Sequence, residues 1–185
     1  MLKEYLEGIK DLTPESNELT HRPSLYTLLK GLKENFNTEF KIEHEPKRDK
    51  QGSQPDFRIS YQGLNIGYIE NKRVGTDLNQ LLKSDQILKY LELNPNLMLT
   101  DYLNFVWVGK GENNKPSTKR KISISSLEEL PKLKPNPQTE RDLIELFRGF
   151  FNHEAAPITN AKDFANALSA PTISKRRFNR IPKRR

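Results

Sequence analysis

The feature that most constrains the fold is a pair of strand-like runs at the centre of the chain. They are PDFRISY at 55–61 and LNIGYIENK at 64–72, and Gln62-Gly63 joins them. Runs of apolar and β-branched residues bounded by turn residues are typical of a hairpin. The apolar residues along both runs predict that this hairpin lies centrally in a sheet, where an unpaired charge would be costly.

Helices and further strands are predicted on both sides of the hairpin. The spacing of apolar residues predicts helices at 1–10, 23–36, 76–91, 139–151 and 160–168. Strands are expected at 40–42, 97–99, 105–108 and 121–125, with a polar loop at 109–121. Thr76 is the predicted N-cap of the third helix. This order predicts an α/β fold with a mixed central sheet flanked by helices and a short C-terminal helical extension.

The chain is basic only at its end. Its 185 residues include 31 Lys and Arg and 24 Asp and Glu, a net charge of +7. Seven of the basic residues lie among the last eleven, so residues 1–174 are balanced in charge. With a proline-rich stretch at 131–137, this predicts a domain at 1–130, a linker and helical extension at 131–170, and a basic, flexible tail at 171–185.

The composition excludes several classes of protein. Without cysteine there is no disulfide framework and no thiolate chemistry, so the cytoplasm is the expected location. The longest mostly apolar stretch, at 97–108, is too short and too polar to cross a bilayer, and no membrane partner is expected. The three histidines lack the spacing of zinc ligands.

Three charged residues of the hairpin form a candidate site if the strands pair in the right register. Glu70 and Lys72 project from the same face of one strand, about 6–7 Å apart. A two-residue turn at 62–63 would place Asp56 opposite Ile69, on the wrong face. A three-residue connection at 62–64 would place Asp56 opposite Glu70. We predict the longer connection, with Gly63 left-handed or forming a bulge.

Two carboxylates beside a lysine suit phosphodiester hydrolysis. Asp56 and Glu70 offer hard oxygen ligands for Mg²⁺, with Mn²⁺ as a substitute. The metal would lower the pKa of a bound water and offset charge on a phosphate. Lys72 would orient that water, assist its deprotonation or stabilise the transition state. The alternative is that Asp56 ends a turn and that Glu70 and Lys72 are an ordinary exposed pair.

The segment PDFRISYQGLNIGYIENK resembles motifs II and III of the PD-(D/E)XK nuclease superfamily. With EPKRDKQGSQPDF, DQILKYL and LMLTDYLNFVWV, it resembles the N-terminal endonuclease domain of single-chain type IIG and type ISP restriction–modification enzymes, over roughly residues 15–125. The resemblance implies a restriction-endonuclease-like fold. It also implies Asp56 and Glu70 as metal ligands, Lys72 as the catalytic lysine, and the main-chain carbonyl of Asn71 as a further ligand.

The helix after the hairpin carries supporting candidates. Gln86 and Tyr90 lie one turn apart and match the Gln-x-x-x-Tyr pattern that positions DNA and the active site in several such nucleases. Lys83 shares their side of the helix, and Arg73 follows the catalytic lysine; both are candidate DNA contacts. A solvated helix face is the alternative.

Glu18 is a further candidate metal ligand. It lies where related nucleases carry a helical glutamate that binds metal through water, although a capping or exposed acid is the alternative. Lys47, Arg48 and Lys50 are either phosphate contacts or a solvated charged loop. We assign Arg22 no chemistry.

The resemblance implies a Mg²⁺-dependent DNA endonuclease of a restriction–modification system. DNA would be the substrate, and a methyltransferase and target-recognition region would normally follow such a domain. A transient homodimer would supply two active sites for double-strand cleavage. One alternative is a nuclease that acts on another substrate, such as single strands, RNA or damaged DNA. A second alternative is a catalytically idle nuclease-fold module that binds DNA or a partner protein. The sequence has no glycine-rich cofactor loop and no Asn-Pro-Pro-Tyr-type tetrad, so we expect no methylation by this chain.

Overall fold

The computed structural model describes residues 1–36, 38–48 and 54–153. Five helices are present in this part of the chain: α1 (Leu2–Ile9), α2 (Arg22–Phe36), α3 (Leu78–Leu81), α4 (Asp85–Leu93) and α5 (Pro137–Phe151). Its six strands are β1 (Lys41–His44), β2 (Phe57–Tyr61), β3 (Leu64–Asn71), β4 (Asn96–Thr100), β5 (Asn104–Lys110) and β6 (Pro116–Ser123). Short 3-10 helices lie at Glu112–Asn114 and Leu130–Lys132.

The strands form one mixed sheet in the order in which they occur along the chain. Strands β3 and β4 are parallel, and every other neighbouring pair is antiparallel. The parallel pair requires a crossover connection, and α3 and α4 supply it. The predicted α/β fold with a mixed central sheet flanked by helices is thereby confirmed.

The sheet has apolar residues on both faces, and each face is covered by helices. Helices α1, α2 and α5 pack against a core on one face that includes Phe57, Ile69 and Phe105. Helices α3 and α4 pack against the other face, which presents Leu97 and Val108. Because successive strand residues point to opposite faces, the near-continuous apolar runs of β4 and β5 follow from burial on both sides.

The hairpin between β2 and β3 differs from the prediction in its turn and agrees in its outcome. Gln62 and Gly63 have φ values of 50° and 77° and form a two-residue turn that pairs Tyr61 with Leu64. The predicted three-residue connection is therefore wrong, because two left-handed residues suit the twist of a tight hairpin. The left-handed conformation predicted for Gly63 is confirmed.

A β-bulge then restores the register that the site needs. Ser60 pairs with Asn65, whereas the preceding Ile59 pairs with Gly67, so β3 contains one extra residue at this point. The shift leaves Phe57 opposite Ile69. A bulge places two residues of one strand opposite one residue of the other strand. Every later pair is therefore shifted by one position, which reverses which side chains of the two strands share a face.

The elements after the hairpin also show where local pattern was insufficient. The helix predicted at 76–91 is broken in two, because the Asp77 side chain caps α3 and Ser84 caps α4. Thr76 is not a cap; its hydroxyl donates to the main-chain oxygen of Arg73. Strand β6 occupies much of the segment predicted as a polar loop at 109–121.

The predicted linker and extension at 131–170 is described only in part. Helix α5 places Leu143, Leu146 and Phe147 in the core under the sheet. The helix predicted at 160–168 and the tail at 171–185 lie outside the described residues, and the domain boundaries stay predictions. Among the described residues, no helix combines the length and the apolar composition that crossing a membrane requires.

Candidate functional site

Three carboxylates from separate segments meet at one place beside the sheet. Asp56 directly precedes β2, Glu70 lies in β3, and Glu18 lies in the turn before α2. One carboxylate oxygen from each lies within 4.8 Å of the others. Asp56 and Glu70 are only 9% and 3% exposed, whereas Glu18 is half-buried. The structure therefore brings together the two carboxylates of the predicted hairpin site and adds Glu18 to them.

Both carboxylate oxygens of Asp56 are held. Arg22 donates from Nη2 to Oδ1 at 2.5 Å, and the main-chain N–H of Asn71 donates to Oδ2 at 2.8 Å. The same guanidinium also donates from Nη1 to Glu45 and from Nε to the Asn71 side-chain oxygen. Arg22 is 7% exposed, so its charge is compensated by acceptors in the protein rather than by water.

Glu70 is oriented by Lys72 and by the helix that follows. Lys72 donates from Nζ to Oε1 at 2.8 Å, and the Gln86 amide donates to the same oxygen at 2.8 Å. Gln86 also donates to the Tyr90 hydroxyl at 3.2 Å. Lys72 Nζ lies 3.7 Å from a Glu18 oxygen, so the lysine reaches two of the three carboxylates.

The turn that carries Glu18 is fixed through its main chain. The Glu18 carbonyl accepts hydrogen bonds from the Asn71 side-chain amide, at 2.9 Å, and from the Tyr102 hydroxyl. The Asn71 amide also donates to the Tyr102 oxygen at 2.9 Å, which closes a triangle of three groups. Asn71 is fully buried, so this polar group has its partners inside the protein.

The electrostatics of the site disfavour two negative charges. Burial and repulsion by Glu70 raise the pKa of Asp56 to about 7, against the opposing effects of the Asn71 N–H and Arg22. Burial also raises the pKa of Glu70, although Lys72 opposes this. For Lys72, burial alone would lower the pKa, but attraction to Glu70, Glu18 and Asp56 raises it above its usual value.

These groups fit a hard divalent cation. The donor set consists of carboxylate oxygens, which Mg²⁺ and Mn²⁺ prefer over softer ligands. Three carboxylates lie together against the two positive side chains of Arg22 and Lys72, and burial raises the pKa of both Asp56 and Glu70. A bound divalent cation would supply the missing charge.

The other candidate DNA contacts are exposed or lie outside the described residues. Arg73 and Lys83 are exposed, in the segment between β3 and α4. Lys47 and Arg48 are exposed beyond β1, and Lys50 lies outside the described residues. Two residues that contact the cluster were not assigned roles from the sequence, Arg22 and Tyr102. No spacing signal marks them, because they meet the cluster through contacts between distant segments.

The fold is similar to that of a chain in a solved structure. A chain of the DrdV–DNA complex, solved by cryo-electron microscopy, matches 80% of this chain with a TM-score of 0.51 and 17% sequence identity. The type IIG restriction endonuclease BpuSI matches 68% with a TM-score of 0.43 and 12% identity. This chain spans 15% of the length of each. No family model and no curated protein matches the sequence. The resemblance predicted from the sequence is confirmed at the level of the fold.

Proposed function

We propose that this chain is a Mg²⁺-dependent DNA endonuclease domain of a restriction–modification system. The observation that carries the proposal is the convergence of Asp56, Glu70 and Glu18 on one another, with Lys72 between two of them. Buried carboxylates with raised pKa values beside a lysine are typical of a functional site rather than of a solvated surface. A restriction-endonuclease-like fold is the scaffold on which such a cluster is expected.

The proposed ligands of the metal are the three carboxylates and the main-chain carbonyl of Asn71. When bound, Mg²⁺ would lower the pKa of a water molecule and offset negative charge on the scissile phosphate. Arg22 and the Asn71 N–H keep the Asp56 oxygens in a fixed direction, which limits the reorganisation needed to bind the ion.

Lys72 is proposed as the catalytic lysine. Its raised pKa keeps the ammonium charged at neutral pH, so it acts as a hydrogen-bond donor. A charged donor beside the cluster would orient the attacking water and stabilise negative charge in the transition state. Assistance in deprotonating that water is the third role expected for Lys72.

Gln86 and Tyr90 are proposed as supporting residues. Gln86 orients Glu70 directly, and Tyr90 in turn holds Gln86. Both lie on α4, and the N-cap at Ser84 fixes where that helix begins. Exposed Arg73 and Lys83 are proposed to contact DNA phosphates near the cleavage site.

The test is cleavage of supercoiled plasmid in Mg²⁺ or Mn²⁺ by the full chain. We expect nicking by the unaltered protein and a loss of at least 100-fold in Asp56→Ala and Lys72→Ala. Glu43→Ala is the matched control, because Glu43 is an ion-paired carboxylate of the same sheet whose partner, Arg58, is outside the cluster. Nicking that persists in both site variants would overturn the proposal. Retention of DNA without nicking would favour an idle binding module.

The partners are proposed from the resemblance and from the length of the neighbours. DNA is the proposed substrate. A methyltransferase and target-recognition region would act with this domain, which spans 15% of the matched chains. Double-strand cleavage would need two sites and hence a transient homodimer. We propose a cytoplasmic location, in keeping with the absence of cysteine.

A further inference from the structure

Tyr102 combines a strained backbone with a buried hydroxyl that faces the candidate metal site. Its φ is 74°, in the left-handed region that a bulky aromatic residue rarely adopts. Its side chain is 1% exposed. Glycine or asparagine would fill such a turn position with less strain. An unfavourable conformation that is maintained by its surroundings is a reason to look for a role.

The surrounding turn holds Tyr102 in this conformation. The Thr100 hydroxyl accepts a hydrogen bond from the Tyr102 N–H at 3.0 Å. The Asp101 carboxylate accepts from the main-chain N–H groups of Leu103 and Asn104, at 3.2 and 2.7 Å. These side-chain bonds fix the connection between β4 and β5. The Tyr102 ring therefore extends into the protein from a turn whose conformation is fixed by hydrogen bonds of its own side chains.

The hydroxyl of Tyr102 is hydrogen-bonded to the main chain of Glu18. It donates to the Glu18 carbonyl and accepts from the Asn71 amide, which donates to that same carbonyl. Asp56 and Glu70 adjoin or belong to strands of the sheet, whereas Glu18 lies in a turn outside regular structure. The two donors tie the main chain of this turn to β3 and to the connection between β4 and β5.

We infer that Tyr102 is a positioning residue that holds Glu18 as the third carboxylate ligand of the metal. The inference rests on the proposed function, since it takes the carboxylate cluster as the metal site. Hydrogen bonds that orient a ligand from outside typically change metal affinity by about 10–100-fold when removed.

The test measures Mn²⁺ binding to the full chain by isothermal titration calorimetry. Tyr102→Phe removes the hydroxyl and keeps the ring, and we expect Mn²⁺ affinity to fall by about 10-fold. Ser24→Ala is the control, because the Ser24 hydroxyl also donates to a main-chain carbonyl, that of Gly8, at 2.8 Å. We expect its affinity to stay within about 2-fold of the unaltered protein, since the Ser24 hydroxyl bonds to α1 and not to Tyr102 or the Glu18 turn. Circular dichroism serves to check that both variants are folded.

A double-mutant cycle separates positioning from a general structural effect. If Tyr102 acts through Glu18, then Tyr102→Phe has no further effect on Mn²⁺ affinity in a Glu18→Ala background, which lacks the ligand oxygen. An equal loss in that background, or an equal loss in Ser24→Ala, would overturn the inference. So would unchanged affinity in Tyr102→Phe.

Mn²⁺ binding distinguishes an incorrect metal site from an incorrect role for Tyr102. If the unaltered chain binds Mn²⁺ no better than Asp56→Ala does, the metal site itself is wrong and the role of Tyr102 falls with it. If Asp56→Ala abolishes binding and Tyr102→Phe does not change it, only the role of Tyr102 is refuted.

Discussion

Without metal, the stability of this protein should fall as pH rises from about 5 to 8, and Asp56→Asn should remove much of that dependence. Asp56 has a folded-state pKa of about 7 against an ordinary value of 3.8. The folded protein therefore binds more protons than the unfolded chain between these values. The stabilisation linked to this proton is present in full below the unfolded pKa and is lost as pH rises through the folded pKa.

The size of the effect follows from the shift in pKa. A shift from 3.8 to about 7 corresponds to roughly 4 kcal/mol over the whole titration. Between pH 5 and pH 8, the part of this range where the protein is easily studied, the change is roughly 2–3 kcal/mol. Glu70 has a raised pKa too and changes stability in the same direction, but it is retained in the variant.

Urea unfolding in EDTA at a series of pH values measures this slope. The informative quantity is the difference in slope between the unaltered protein and Asp56→Asn, because other titrating groups are common to both. Saturating Mg²⁺ should restore stability to the unaltered protein at pH 8, by about 3 kcal/mol at 100 times the Kd. It should have little effect on the variant. Parallel pH profiles for the two proteins in EDTA would refute the reasoning about Asp56.

The Arg22 ion pair, the packing around Gly67 and the basic tail can each be tested separately. Arg22→Met should lower the free energy of unfolding by about 3–5 kcal/mol at pH 8 in EDTA, because it leaves a buried carboxylate uncompensated. The control Arg58→Met breaks a more exposed pair of the same 2.5 Å length and should cost at most about 1 kcal/mol, so equal losses would contradict the argument. Gly67→Ala should destabilise the protein by about 1–3 kcal/mol in thermal melts, since the new Cβ would lie 2.9 Å from the main-chain oxygen of Asn96. An unchanged melting temperature would show that β3 can move away from Asn96. Deletion of residues 175–185 should weaken DNA binding in low-salt gel-shift assays and leave metal-dependent nicking intact. A loss of nicking at saturating DNA would contradict a tail that only attracts DNA by its charge.

The residues of the candidate site were predictable to different degrees. Glu70 and Lys72 share a face because side chains alternate along a strand, which is a local property. Glu18 was a candidate only through resemblance, and its position beside Asp56 depends on a turn held by Tyr102. Arg22 was given no chemistry, although it contacts Asp56 across 34 residues of sequence.

The fold shows the same division between local and long-range determinants. Apolar spacing predicted the strands of the central hairpin, but the helix at 76–91 is interrupted because Asp77 and Ser84 each cap a separate helix. Side-chain caps compete with helix continuation, and apolar periodicity alone does not show which wins.

The sequence by itself determined the α/β class of the fold, the two strands of the central hairpin and the alternation that places Glu70 and Lys72 on one face. Only the tertiary structure decided that Asp56 joins them. The tight turn at Gln62-Gly63 would have put Asp56 opposite Ile69, and the bulge between Ile59 and Ser60 reverses this. The physical reason is that side-chain direction along one strand is fixed by the backbone, whereas register is a property of two strands. Turn geometry, the bulge and packing on both faces set that register together.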